Sequence, residues 1–244
     1  MLSLDPDAGS ASPVPPPSSS YWLFYDELAA AQLAAWVPEE RSRVLDLSLD
    51  GPTRPALLRD LGHDVVRVGV GPLDGVQTVQ ADTRVLSWLA DEAFDAVVCE
   101  SRALSMSLAT EETARDLIRV LRPGGRMLLC VDSLTTGLAR LADQGRWAEL
   151  ADVPSADVVL VPEEDGTLSR CFWPEELHAL LEDVGFDVEW VRPRSVLTPG
   201  AVERALATGG EEALRTLVRT ELRLWVDREG ETPGIHLVSS ARKP

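Results

Sequence analysis

At 244 residues the chain is long enough to bury a full hydrophobic core, and it suits one large domain better than two. Hydrophobic residues make up 45% and charged residues 26%, an ordinary globular balance. With 40 acidic against 23 basic side chains the formal charge is −17, and Lys occurs only at Lys243, so the surface repels phosphate backbones and excludes a polynucleotide partner from the expected ones.

Residues 1–20 are mostly Ser, Pro, Ala and Asp, including Pro15-Pro16-Pro17, and cannot bury enough apolar surface to order themselves. A disordered tail is expected there, followed by one domain over 21–244. Tyr21, Phe24, Tyr25, Leu28, Gln32 and Leu33 fall at helical spacing, and Pro38 ends that run. Val44–Leu47 reads as a first strand and Arg54–Leu61 as a helix that Gly62 closes. Val65–Val70 is a second strand, Gln77–Gln80 a weaker third, and Leu86–Leu89 a helical stretch. Phe94–Cys99 is a fourth strand, Glu111–Leu121 a helix closed by Arg122-Pro123-Gly124-Gly125, and Arg126–Val131 a fifth strand. These strands are apolar along their length, as burial on both faces requires. Strand and helix in repeated alternation imply right-handed crossovers.

The second half departs from simple alternation. A helix is expected over Leu134–Leu150, then a hairpin of Val158–Val161 and Thr167–Phe172 around Pro162–Gly166. A helix over Pro174–Val184, a strand over Phe186–Val191, helices near Pro199–Ala207 and Glu211–Arg228, and a last strand over Ile235–Ser240 complete the chain. Residues 192–234 thus form a helical insertion between the last two strands. The whole is a doubly wound α/β fold, with a mostly parallel seven-stranded sheet and helices on both faces.

Cys99, Cys130 and Cys171 are odd in number and lack CxxC spacing, which points to neither a disulfide framework nor a metal site. No apolar run approaches the roughly 20 residues that span a bilayer. The first residues also lack the basic-then-apolar order of a secretory signal. A cytoplasmic location without a membrane partner is expected, and a homodimer stays open.

In an open α/β sheet, ligands lie outside the carboxyl ends of the strands. That rule selects Asp46, Ser48, Asp50 and Gly51 after the first strand, Gly69 and Gly71 after the second, and Asp82 and Thr83 after the third. Glu100 and Ser101 follow the fourth strand, and Asp132 and Ser133 the fifth. His63, His178 and His236 are read as structural, with His63 at the surface on the amino edge of the sheet. Cys99 and Cys130 are read as small core residues, and Trp147, Trp173, Trp190 and Trp225 as core packing.

The order of Val44-Leu45-Asp46-Leu47, Ala81-Asp82, Phe94-Asp95-Ala96-Val97-Val98 and Arg119-Val120-Leu121-Arg122-Pro123-Gly124-Gly125-Arg126 resembles the class I S-adenosylmethionine-dependent methyltransferases. The Leu-Arg-Pro-Gly-Gly turn is the most specific piece, and the later Glu-Leu-x-x-Leu-Leu and Gly-Phe-x-Val stretches fit as well. The resemblance covers about Tyr21 to Lys243. It implies a Rossmann-like methyltransferase fold, S-adenosylmethionine as cofactor and a small-molecule acceptor. It also implies a cofactor site drawn from Tyr21, Asp46, Ser48, Gly51, Gly71, Asp82, Thr83 and Glu100.

Two departures stand out. Where the family has a Gly-x-Gly-x-Gly turn, this chain has Ser48, Asp50 and Pro52, with one glycine displaced to Gly51. That turn serves close backbone approach and offers helix N–H groups to a carboxylate. Asp50 brings a negative charge towards the cofactor's own carboxylate. At an effective dielectric near 20, two such charges about 4 Å apart repel by on the order of 4 kcal/mol. A loop that turns Asp50 outward, or onto the cofactor's amine, avoids this. Gly71 stands where the family carries an acidic residue for the ribose, and Asp74 is a candidate substitute. Asp82 matches the family's acid beside the adenine amine, and equally fits a turn or cap. Tyr21 and Tyr25 resemble aromatic residues that cover the cofactor, or simply dock their helix. No catalytic residue is assigned; Glu100, Asp132 or Glu163 could act as base where the acceptor must lose a proton. The alternative reading is a methyltransferase-like protein without catalysis, acting as a binding or partner subunit.

Overall fold

The computed structural model describes residues 18–48, 53–69, 71–100, 102–163, 165–227 and 234–244. The expected tail up to residue 17, the sequence positions Asp50, Gly51 and Pro52, and Ser101 lie outside the described residues. Ser18–Ser20, at the end of that tail, lead directly into the first helix, and the Ser19 hydroxyl donates to Glu203.

The elements run in order as α1 (Tyr21–Trp36), β1 (Arg43–Asp46), α2 (Thr53–Asp60), β2 (Asp64–Val68), β3 (Gln77–Val79) and β4 (Phe94–Cys99). Then come α3 (Thr110–Val120), β5 (Leu121–Ser133), α4 (Leu134–Asp143), α5 (Trp147–Asp152), β6 (Val159–Pro162) and β7 (Leu168–Phe172). The last are α6 (Pro174–Asp183), β8 (Asp187–Pro193), α7 (Pro199–Asp227) and β9 (His236–Arg242). Strands β3-β2-β1-β4-β5 are parallel neighbours in that order. β9 pairs antiparallel with β5, and β8 with β9, which gives the seven-stranded sheet expected from the sequence. The β6–β7 hairpin adds two further strands. It joins where β5 outruns β4, with Asp132 and Ser133 paired to Cys171 and Phe172.

Burial on both faces follows from alternation along each strand. Leu45, Val97 and Leu129 pack on one face with Leu117 of α3 and Leu177 and Leu181 of α6. Val44, Val98 and Leu128 pack on the other with Leu33 and Trp36 of α1 and Leu58 of α2. Each such fully buried side chain stabilises the fold by about 1.5–3 kcal/mol. α1 is apolar around most of its circumference because Tyr21, Phe24 and Leu28 also pack with Val202 of α7. The Leu-Arg-Pro-Gly-Gly turn needs its second glycine, since a Cβ at Gly125 would lie 2.8 Å from the Arg122 carbonyl oxygen.

The structure corrects several expectations. Leu86–Leu89 is a turn, not a helix: the carbonyls of Leu86 and Leu89 accept from Arg119 of α3, at 2.9 and 2.7 Å. The helix expected over Leu134–Leu150 is two helices, α4 and α5, because Gly145 takes φ +67° and ends the first. The two helices expected after β8, by contrast, both form: they follow one another within α7 and are separated by Gly210, whose backbone is not helical (φ 52°, ψ −136°). His63 lies at the amino edge but is buried, and its Nδ1 accepts from the Ser42 N–H at 3.3 Å. Trp147 and Trp173 are exposed rather than core, whereas Trp190 and Trp225 stack edge to face with centroids 5.0 Å apart.

Candidate active site

Apolar strands end here in polar side chains, and their register sets those ends side by side. On β1, Val44 leads to Asp46 and then Ser48; on β4, Ala96 and Val98 lead to Glu100. On β5, Leu128 and Cys130 lead to Asp132, and on antiparallel β9, Ser240 and Val238 lead to His236. Alternate residues share a face. The pairings Asp46↔Val98, Val98↔Leu128 and Asp132↔His236 set all four rows on the face that α1 covers. Asp46, Ser48, Glu100, Asp132 and His236 are all buried.

Two groups of charges organise this edge. In the first, Glu100 Oε2 accepts from Arg194 Nη2 at 2.6 Å and from Arg54 Nε at 3.2 Å. Arg194 sits one residue past β8 and is sealed from solvent. Its Nη1 donates to Gln32 Oε1 (2.9 Å), and Gln32 Nε2 donates to the Arg194 carbonyl (3.1 Å). The Tyr25 ring lies 5.7 Å from its guanidinium. A buried guanidinium survives only with partners of this kind. In the second group, Tyr25 Oη lies 2.6 Å from His236 Nδ1, and His236 Nε2 lies 3.2 Å from Asp132 Oδ1. Asp132 also accepts from Arg102 (2.6 Å) and from the Ser169 hydroxyl. Arg102 and Arg140 each donate to Glu163 at 2.6 Å.

These surroundings set the proton affinities. Burial pushes the Asp46 carboxyl up to about 6, with the hydrogen bond from the Ser48 N–H and the Arg54 and Arg67 charges opposing it. Burial also works to raise Asp132, but the His236 ring and the Arg102 and Arg140 guanidiniums outweigh it and hold that carboxyl well below the usual range. Burial lowers His236, which therefore stays neutral. The three candidate bases are each tied to guanidiniums: Glu100 to Arg54 and Arg194, Asp132 and Glu163 to Arg102 and Arg140. Asp132, held well below the usual carboxylate range, is for that reason a poor base.

Among the residues selected from sequence, Asp46, Ser48 and Glu100 come together, and the Ser48 N–H donates to Asp46 Oδ1 at 3.2 Å. Tyr21 opens α1, buried beside Ser195 and Glu221, and burial pushes its phenol up to about 12. Gly51 lies outside the described residues. Gly71 is exposed, with φ +80°, in the turn after β2, and Asp74 sits in the same exposed turn. Asp82 is exposed and folds back on Arg84, accepting its N–H at 2.9 Å and its guanidinium at 2.8 Å, with Thr83 buried beside it. Gly71 and Asp82 are therefore outside the buried cluster. Sequence reasoning missed Arg54, Arg194, Gln32 and the Tyr25–His236 contact. Arg194 carried a usable signal, since it follows a strand end as the other edge residues do.

Asp46 Oδ2, Ser48 Oγ and Glu100 Oε1 are buried and make no hydrogen bond among the described residues. Buried polar atoms are nearly always paired. Three such atoms at neighbouring strand ends fit a ligand that brings donors and positive charge, as the ammonium and sulfonium of S-adenosylmethionine do. Among the described residues, no cluster of His, Cys, Asp or Glu is placed to hold a metal ion, and no helix is long and apolar enough to cross a membrane.

Comparison with known proteins bears on the family and the fold. Residues 31–129 match the model of a family described as a methyltransferase domain. The ubiquinone/menaquinone biosynthesis C-methyltransferase UbiE of Ectopseudomonas mendocina is 36% identical over 152 residues, 57% of this chain and 58% of that protein. The chain thus spans less than two thirds of the curated relatives it matches. Among solved structures, the 1,6-didemethyltoxoflavin-N1-methyltransferase of Burkholderia thailandensis, holding S-adenosylhomocysteine, superposes with a TM-score of 0.56 at 19% identity, covering 92% of this chain and 81% of that one. An S-adenosylmethionine-dependent methyltransferase from Mesorhizobium loti gives 0.57 at 18% identity, covering 90% and 100%. At these identities the two structures speak for the fold.

Proposed function

We infer that this chain, which belongs to the class I S-adenosylmethionine-dependent methyltransferase superfamily, transfers the methyl group of S-adenosylmethionine to a small-molecule acceptor. The observation that carries the reading is the set of buried, unpaired acceptors Asp46 Oδ2, Ser48 Oγ and Glu100 Oε1 at the carboxyl edge of β1 and β4. When bound, the cofactor supplies a methyl group already activated on a sulfonium, so the protein's part is chiefly to hold the reactants in line. Asp46 and Glu100 would face its cationic groups, Ser48 and Gly51 its methionyl end, and Tyr21 would cover it from α1. Gly71, Asp82 and Thr83 would meet its nucleoside end.

A small acceptor is supported by the net charge of −17, which disfavours nucleic acid, and by the names of the relatives, which specify ubiquinone/menaquinone biosynthesis and didemethyltoxoflavin. The depressed carboxyl of Asp132 makes it a weak base. That favours an acceptor whose reacting atom bears no proton or sheds it to solvent.

Calorimetric titration of the purified chain with S-adenosylmethionine and S-adenosylhomocysteine tests this. Binding at micromolar concentration is the expected result. No heat at millimolar ligand, with no thermal shift, overturns it. A second reading, a methyltransferase fold kept only as a binding subunit, draws on Ser48, Gly71 and the contact of Arg54 with Glu100. The null result of the same titration would favour it.

A further inference from the structure

We propose that Arg54 receives the carboxylate at the methionyl end of the cofactor, replacing with a side chain the backbone N–H groups of a glycine-rich turn that this sequence lacks. Glu100 is the counter-ion on which Arg54 rests until that carboxylate arrives. The proposal depends on reading the site as a sulfonium-nucleoside pocket, and it assigns one end of that pocket.

The sequence creates the need. Pro52 has no N–H to offer, and Asp50 adds a negative charge to the segment where a carboxylate would have to be received. Arg54 follows two residues later, as the second residue of α2, so its guanidinium and the positive end of the helix fall together. The side chain is buried rather than solvated, at 7% exposure.

The contacts show a cation with capacity to spare. Arg54 reaches Glu100 through Nε alone, at 3.2 Å. Its terminal nitrogens meet only Asp26 among the described residues, at 3.9 Å, and Asp26 is 67% exposed. The same Glu100 oxygen already takes the shorter, 2.6 Å bond from Arg194. Two guanidiniums therefore share one oxygen of one carboxylate. An arginine held by one nitrogen keeps its planar fork free for a second, bidentate carboxylate. Around it, Glu100 Oε1, Asp46 Oδ2 and Ser48 Oγ are buried without partners among the described residues, as a site that awaits a zwitterion would be. An α-amino acid end carries both charges: its ammonium suits these acceptors and its carboxylate suits Arg54. Glu100, once released by Arg54, remains paired to Arg194, so the exchange strands no buried charge.

The test uses calorimetry on the full chain with two probes, S-adenosylhomocysteine and its methyl ester, which differ only in the anionic carboxyl. In Arg54→Gln, S-adenosylhomocysteine is expected to weaken by about tenfold or more, the loss typical of one charge-assisted hydrogen bond. Arg54→Lys should recover part of that loss, and the ester should bind all three proteins alike. An ester too weak to register even on the unaltered chain would itself support a carboxylate-dependent site. Unchanged S-adenosylhomocysteine binding in Arg54→Gln overturns the assignment and leaves the pocket reading standing, as does an equal loss for both probes. Failure of the unaltered chain to bind either probe overturns the pocket reading and the assignment with it. Arg54→Gln leaves the Arg194–Glu100 pair in place, and an unchanged thermal midpoint confirms that the fold persists.

Discussion

The guanidinium of Arg194 and the carboxylate of Glu100 meet at 2.6 Å where neither side chain touches solvent, tying the end of β8 to the end of β4 beneath α1. Removing one partner of a buried pair strands the other, which typically costs about 3–5 kcal/mol. The two deletions are not equivalent here. After Arg194→Ala, Glu100 still has Arg54; after Glu100→Ala, two guanidiniums face each other with their shared anion gone. Glu100→Ala should therefore be the more destabilising, and urea midpoints for the two variants should order that way. The opposite order would mean that packing of the Arg194 side chain outweighs the charge balance.

Asp46 gives a pH dependence with a definite sign. Its folded carboxyl is raised to about 6 from 3.8, with burial the main cause. The folded chain thus holds a proton that the unfolded chain has released, and this group's contribution to stability falls as pH rises from about 4 to about 6. The full effect is on the order of 3 kcal/mol. Asp46→Asn cannot ionise, so its stability relative to the unaltered chain should improve between pH 4.5 and pH 7.5. Urea unfolding at those two values measures the change; a constant difference would show that Asp46 titrates normally.

Much of the architecture was legible because parallel strands buried on both faces are written as short apolar runs. Phe94–Cys99 is the clearest case, with the same bounds in sequence and structure. Leu86–Leu89 misled because its helical spacing competes with Arg119, a partner that local pattern does not reveal. The edge rule found Asp46, Ser48 and Glu100, since it needs only the point where a strand stops. It could not find their partners. Arg194 meets Glu100 across 94 residues and Tyr25 meets His236 across 211, and such pairings exist only once the sheet has assembled. Trp147 and Trp173 misled for the opposite reason, because aromatic size suggested burial where the fold left both at the surface.

Tyr25→Phe isolates one atom of this edge. The ring keeps its place beside Arg194, but the hydroxyl 2.6 Å from His236 Nδ1 is lost, leaving a buried ring nitrogen without that partner. An unsatisfied buried group of this kind costs about 1–3 kcal/mol. In a chain of this size that corresponds to a fall of roughly 2–12 °C in Tm. Calorimetry of the variant checks it. An unchanged Tm would indicate that water replaces the hydroxyl, and that the site is wetter than its burial implies.

Gly137 opposes helix propensity to packing, and the geometry decides between them. Alanine is preferred to glycine inside a helix by about 1 kcal/mol, so Gly137→Ala should stabilise α4 if only local structure mattered. A Cβ at that position would lie 2.8 Å from Cys171 Sγ and 3.0 Å from Cys171 Cβ, with Val161 at 3.3 Å. Cys171 is fixed in β7, which pairs with both β5 and β6, so neither the helix nor the hairpin can withdraw freely. Overpacking a site of this kind costs about 1–3 kcal/mol, enough to reverse the gain. Gly137→Ala should be destabilising in the unaltered chain and close to neutral after Cys171→Ala, which removes the sulfur but keeps the strand. Equilibrium unfolding of the two single variants and the double variant measures that coupling. Simple additivity would show that the close approach of α4 to the hairpin does not constrain the residue at 137.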